Sequence, residues 1–226
     1  MRQFINLSTN KIYHILSGIF ITSLIVSNLI FQKFFTLDIF GFNFELSVGI
    51  IFYPITFLLT DLVSEIFGQK KAKQMVITGV ISSIFCLAMI YIANYLPATN
   101  WSPVNKETFN LVFGNTSLAV GASMLAYLFA QIIDIKIYHF WKRITKGKHL
   151  WLRNNLSTIP SQFIDTFLIL LLLCAGGAID WSLFWNLFVQ GFIFKILIAI
   201  IDTPIIYLCV FGLRRKFELE INQELK

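Results

Sequence analysis

Six apolar stretches, each about long enough to cross a bilayer, fill most of this 226-residue chain. A hydrocarbon core about 30 Å thick takes roughly 20 residues of α-helix. Only structures that satisfy every backbone hydrogen bond internally are stable there. The expected spans are Lys11–Phe31, Leu46–Phe67, Gln74–Leu96, Thr116–Trp141, Ser157–Ala178 and Leu183–Leu213. Charged residues make up 13% of the chain, against about 25% in soluble domains. The expected fold class is therefore all-α: a polytopic membrane bundle of six transmembrane helices forming one domain over residues 1–226. The loops are too short to hold a soluble domain. The run Ile12–Phe31 reads as a span rather than a cleaved leader, since no small-residue cleavage pattern follows it.

The basic residues orient the bundle. One side receives Arg2, Lys11, Lys70, Lys71 and Lys73, then Lys142, Arg143, Lys146, Lys148 and Arg153, and finally Arg214, Arg215 and Lys216. The other side receives Lys33 and Lys106. By the positive-inside rule both termini are cytoplasmic. The net charge of +6 is then a topology and lipid-headgroup signal, and no nucleic-acid partner is expected. Trp101, Trp141, Trp151, Trp181 and Trp185 fall near the expected interfaces.

Polar side chains inside these spans point to a function beyond residence in the membrane. Asp61 and Glu65 are spaced i,i+4 and share a helix face. Gln131 with Asp134, and Gln162 with Asp165, repeat one Q-x-x-D spacing. Lys195 and Asp202 lie two turns apart on the last span, and Asn28 of the first span sits at a depth similar to Lys195. Counted along the expected helices, Asp61, Asp134, Asp165 and Asp202 all fall about 10–15 Å inside the cytoplasmic boundary. Four helices thus present a carboxylate in one layer. A charge at that depth costs roughly 3 kcal/mol on insertion scales. The layer reads as one polar site for a solute or ion, and its acids allow proton coupling. Interhelical pairing is the structural alternative.

Pro54 and Pro204 are expected inside the second and sixth spans and Pro160 near the start of the fifth, where they free backbone carbonyls and interrupt helices. Cys86, Cys174 and Cys209 lie in apolar runs without C-x-x-C spacing, so neither a disulfide framework nor a metal site is expected. No cofactor is expected either. A membrane enzyme is disfavoured, because the chain lacks G-x-S-x-G and H-E-x-x-H and its three histidines are peripheral in the expected topology. A membrane-embedded binding subunit served by a separate ATPase, or a carrier of another vitamin-like or nucleobase solute, stays open. The small residues Gly121, Ala122 and Ser123, and Gly176-Gly177, permit close helix packing within one chain or between two copies. A homodimer is thus also open.

Three segments resemble the queuosine precursor transporters. Thr60-Asp61-Leu62-Val63-Ser64-Glu65-Ile66-Phe67-Gly68 is similar to their T-D-L-x-x-E-x-[YF]-G motif. Trp151-Leu152-Arg153-Asn154-Asn155-Leu156-Ser157-Thr158 is similar to W-x-R-[NH]-[NL]-x-S-T, and runs on into Gln162 and Asp165-Thr166. Lys195 with Asp202-Thr203-Pro204-Ile205-Ile206-Tyr207 is similar to K…D-T-P-x-x-Y, and Ser27-Asn28 also fits. The resemblance implies a bacterial inner-membrane importer of 7-deazaguanine bases: 7-cyano-7-deazaguanine, its 7-aminomethyl relative, or queuine. It adds Asn154 to the substrate-binding candidates. The full expected set is Asn28, Asp61, Glu65, Gln131, Asp134, Asn154, Gln162, Asp165, Lys195 and Asp202.

Overall fold

The computed structural model describes residues 2–39, 41–113 and 116–225; the side chains of residues 2–8, 39, 42–43 and 116–119, Arg2 among them, lie outside that description. Helix α1 (Arg2–Ile30) is followed by a hairpin of β1 (Phe34–Ile39) and β2 (Phe42–Ser47). Then come α2 (Gly49–Phe52), α3 (Pro54–Tyr95), α4 (Lys106–Phe113), α5 (Thr116–Ile144) and α6 (Leu150–Ala175), and, after a short 3-10 turn, α7 (Phe184–Phe217).

The 42 residues of α3 would run about 63 Å if straight, twice the hydrocarbon thickness. The chain instead turns at Gly68, whose backbone (φ 82, ψ 171) leaves the helical region. Gly49 packs on Ser27 and Phe31 at the far end of α1. Phe67 meets Tyr13 near its beginning, and Gly79 lies against Phe20 and Leu24. Residues 54–67 therefore run antiparallel to α1, and residues 69–95 run parallel to it. With the two arms of α3 counted separately, the described residues form six segments of membrane-spanning length. Tyr13 Oη donates to the Lys71 carbonyl at 3.2 Å, and the Leu225 N–H donates to the Ile66 carbonyl at 2.8 Å. The first part of α1 and the C-terminal tail thus both pack at the Gly68 end, among Lys71, Lys142, Arg153 and Arg214, the end that the positive-inside rule assigns to the cytoplasm.

The main buried cluster joins α1, α3, α5 and α7 through Phe20, Leu24, Phe57, Ile66, Met75, Tyr127 and Ile206. Between α6 and α7, Phe163, Phe167, Phe184 and Phe188 pack edge to face, an arrangement that suits the ring quadrupoles. Ile81, Phe85, Ile92, Leu208 and Phe211 point outward and offer lipid an apolar surface.

Several expected boundaries shift. Leu46 belongs to a strand, and Pro54 occupies the first turn of α3, where its missing N–H costs nothing, rather than the helix interior. Pro204 lies inside α7, and Pro160 lies well inside α6. Helix α6 begins at Leu150, seven residues before the expected start at Ser157, which carries Asp165 about 10 Å deeper than counted. Residues 37–45, which fall between the first two expected spans, form most of the hairpin; Phe40 lies outside the described residues.

Candidate functional site

The earlier start of α6 splits the expected acid layer into separate groups at different depths. The outermost is built on Asp165 of α6 and Lys195 of α7. Both are buried, with Lys195 Nζ 2.7 Å from Asp165 Oδ2. Lys195 also donates to Thr166 Oγ1 at 3.0 Å, and Tyr53 Oη donates to Asp165 Oδ1 at 3.0 Å. The ammonium sits 5.2 Å from the centre of the Tyr53 ring. Tyr53 is held here because it precedes Pro54 at the beginning of α3.

This pair borders a cavity of about 180 Å³, into which Asn28, Ser123 and Thr166 also face. An apolar cavity of about 150 Å³ accommodates a benzene ring, so the space suits one small planar molecule. Phe31, Ile50, Leu170 and Leu187 form apolar walls. The hairpin closes one side through Phe34, Glu45 and Ser47, and is clipped to α7 where the Glu45 N–H donates to Gln190 Oε1 at 3.0 Å. Polar groups converging in a mostly apolar concavity are the usual form of a small-molecule site.

One turn further in, Asp61 of α3 and Asp134 of α5 face each other. Thr158 Oγ1 approaches Asp61 Oδ2 at 3.4 Å, and Ser161 Oγ lies 2.9 Å from Asp134 Oδ1. Gln131, one turn from Asp134 on α5, and Gln162, next to Ser161 on α6, are also buried.

At the cytoplasmic end Glu65 is surrounded by cations. Arg153 reaches it with two nitrogens, Nη2 to Oε1 at 2.8 Å and Nε to Oε2 at 3.2 Å. Tyr138 Oη donates at 2.9 Å, Arg214 donates to Oε1, and Lys142 Nζ stands 3.7 Å from Oε2. Arg153 is fixed in turn by the Gly147 and Lys148 carbonyls at 3.1 and 2.8 Å. Lys142 also holds Glu224 of the C-terminal tail at 2.7 Å.

Of the ten candidates, the structure brings Asn28, Asp165 and Lys195 to the cavity and Asp61, Gln131, Asp134 and Gln162 to the middle of the bundle. Glu65 belongs to the cytoplasmic ion cluster. Asn154 is buried on α6 and accepts from Ser157 through its backbone carbonyl. Asp202 is half-buried on α7 and shows no hydrogen-bond or ion-pair partner among the described residues. Sequence reasoning missed Tyr53, Ser123 and the clamping role of Arg153. The signal for Arg153 was available: Arg153, Ser157, Ser161 and Asp165 repeat at i,i+4 and form one polar stripe along α6. Among the described residues no group of three or more His, Cys, Asp or Glu side chains is placed to hold a metal.

Comparison with known proteins bears on this architecture. The chain is 28% identical over 173 residues to a protein of Bacillus subtilis (strain 168) described as a probable queuosine precursor transporter, a match covering 76% of this chain and 74% of the relative. No solved structure matches. A family model described as putative vitamin uptake transporter matches residues 47–209, from the end of the hairpin into the last helix, a stretch that holds Asp165 and Lys195 of the cavity and Glu65, Lys142 and Arg153 of the cytoplasmic cluster. A multi-pass bundle with a mostly apolar cavity bordered by a few polar groups fits such a family, and the chain belongs to this vitamin uptake transporter family.

Proposed function

We propose that this protein imports a 7-deazaguanine precursor of queuosine across the bacterial inner membrane, with the substrate held first in the Asp165–Lys195 cavity. The carrying observation is the chemistry of that cavity. A deazaguanine presents a ring N–H and an exocyclic amine side by side, and one carboxylate can accept from both. Asp165 has lone pairs left for them beside its bonds to Lys195 and Tyr53. The Lys195 ammonium has a third hydrogen for the ring carbonyl, and Asn28 can serve an edge of the base. The Tyr53 ring and the apolar walls suit a flat heterocycle. The name of the Bacillus subtilis relative supports the same substrate class.

The test is queuosine content of transfer RNA in a strain that can neither make nor import the base, supplied separately with 7-cyano-7-deazaguanine, its aminomethyl relative and queuine. The chain should restore queuosine with at least one precursor. Asp165→Asn and Lys195→Met should remove that rescue at unchanged protein level. Absence of rescue by a well-inserted wild-type chain with all three precursors overturns the proposal.

A further inference from the structure

We propose that Asp61 and Asp134 together form a proton-binding site, and that the proton they hold is the ion whose entry drives uptake; this rests on the reading of the protein as an importer. The other deeply buried acids have their charge answered. Asp165 has Lys195, and Glu65 has Arg153, Arg214 and Lys142. Asp61 and Asp134 are equally buried, at 1% and 0% exposed, yet neither has a cation within ion-pair distance among the described residues. The groups that reach them from the protein are neutral hydroxyls, Thr158 at Asp61 and Ser161 with Ser157 at Asp134. The second oxygen of each, Asp61 Oδ1 and Asp134 Oδ2, receives no hydrogen bond from the protein, and the two carboxyls face each other.

Two like charges side by side in a low-dielectric interior cannot both persist. Without a cation in contact, the desolvation cost of each is poorly compensated, since Arg153 acts on Asp61 only from beyond ion-pair distance. One proton between the carboxyls changes repulsion into a carboxyl–carboxylate hydrogen bond and removes one of the two charges. The surroundings leave that proton as the available remedy. On α3 the neighbouring acid is Glu65, neutralised by its own clamp. On α5 Tyr138 is within electrostatic range of Asp61 but donates to Glu65, and Tyr127 lies nearer Asp165. On α6 Arg153 is committed to Glu65 and to two carbonyls, and Asp165 to Lys195 of α7. Arg214 of α7 is bound to Glu65. The titratable Tyr13 and His14 of α1 sit at the cytoplasmic end, near Phe67 and Lys71.

Position suits coupling. Ser161, which contacts Asp134, lies one turn of α6 inward from Asp165, so the pair is about 6 Å below the acid that borders the cavity. The site is assembled from three elements: α3 and α5 supply the carboxyls, and α6 the hydroxyls. Movement of α6 to pass substrate inward changes the hydrogen bonds that set proton affinity. In each cycle one proton bound from the outside is released to the cytoplasm as one substrate crosses.

The experiment uses the purified full chain in liposomes with radiolabelled 7-cyano-7-deazaguanine, its 7-aminomethyl relative and queuine. A gradient of one pH unit, alkaline inside, should support up to about tenfold accumulation at one proton per substrate. Asp61→Asn and Asp134→Asn should remove the response to the gradient, whatever their residual rate. Infrared spectra of the wild type at neutral pH should contain a protonated-carboxyl C=O stretch that is lost in either variant. Wild-type substrate exchange without gradient-driven accumulation overturns the proposal, as does accumulation driven by sodium instead, or a gradient response retained in both variants. Failure of wild-type exchange with every precursor counts against the importer reading instead. The infrared band then decides the proton site by itself, and its absence overturns that site.

Discussion

Asp165 and Glu65 are both fully buried acids paired with cations, and they are built for opposite behaviour. Asp165 meets one ammonium and one phenol beside open space. Lys195 is a point charge on a flexible stem that can turn toward a new acceptor without leaving its site. Glu65 meets three cations and a tyrosine in a region filled by side chains. Arg153 grips it through two nitrogens, a geometry that fixes both partners, and is itself fixed by backbone carbonyls of the α5–α6 connection. One pair is suited to exchange its partner, and the other to stay closed. The molecule consequently keeps a cavity beside Asp165 and is tied together across α3, α5, α6 and α7 around Glu65.

Removing the acid from the closed cluster should cost the most. Glu65→Gln leaves Arg153, Arg214 and Lys142 facing a neutral amide in a buried site. Breaking a buried pair by removing one partner typically costs about 3–5 kcal/mol, a large share of the stability of an ordinary domain. The expected outcome is low protein in the membrane and a clearly lower melting temperature in detergent. A Glu65→Gln protein that accumulates and melts like wild type would show that the cluster does not hold the helices together.

The outer pair should fail differently. Asp165→Asn and Lys195→Met each border a cavity that water can enter, so the residual charge is less exposed to desolvation. Protein levels should hold. Substrate affinity should fall by roughly 30–150-fold, corresponding to loss of about 2–3 kcal/mol of charge-assisted hydrogen bonding. Binding to the purified protein, measured by calorimetry, reads this directly. The double variant should melt no lower than either single one, because no unpaired ion remains.

The spans were legible in the sequence because apolar length is a strong signal, and the two faults in placing them have a physical cause. The segment Leu150-Trp151-Leu152-Arg153-Asn154-Asn155-Leu156 reads as too polar to lie within the bundle. Hydropathy counts Arg153 as an exposed charge and has no knowledge of Glu65, 88 positions earlier in the chain, which neutralises it. The shortened helix then displaced Asp165 into the layer of Asp61 and Asp134. The hairpin carried its own signal: Phe42, Phe44 and Leu46 alternate with Asn43, Glu45 and Ser47, a period of two, but the stretch runs directly into an apolar helix and Leu46 was absorbed by it. Lys195 and Asn28 were readable as polar groups at similar depth. Tyr53 was not, since one aromatic residue among many carries no local mark of lining a cavity.

The turn that closes α3 offers a gentler probe of the cytoplasmic end. Gly68 has φ +82 and its Cα faces Glu224 closely enough that a Cβ would collide with that side chain. Gly68→Ala should cost about 1–2 kcal/mol through the strained backbone and should dislodge the tail. The melting temperature should fall by less than in Glu65→Gln, and added protease should cut the tail faster in inside-out vesicles.

Glu224→Gln isolates burial as the variable. Both Glu224 and Glu65 are acids held by Lys142, and Glu224 is the nearer, at 2.7 Å against 3.7 Å. Distance alone would rank it as the more important partner. Glu224 is 40% exposed, however, and exposed ion pairs contribute about 1 kcal/mol or less. Lys142 also keeps the Glu65 carbonyl as an acceptor at 3.1 Å, and the tail keeps its Leu225 bond to Ile66. The melting temperature of Glu224→Gln should therefore stay close to wild type, and the small difference should shrink further at high salt. A loss as large as that of Glu65→Gln would mean that the tail, rather than the Glu65–Arg153 clamp, holds the cytoplasmic end closed.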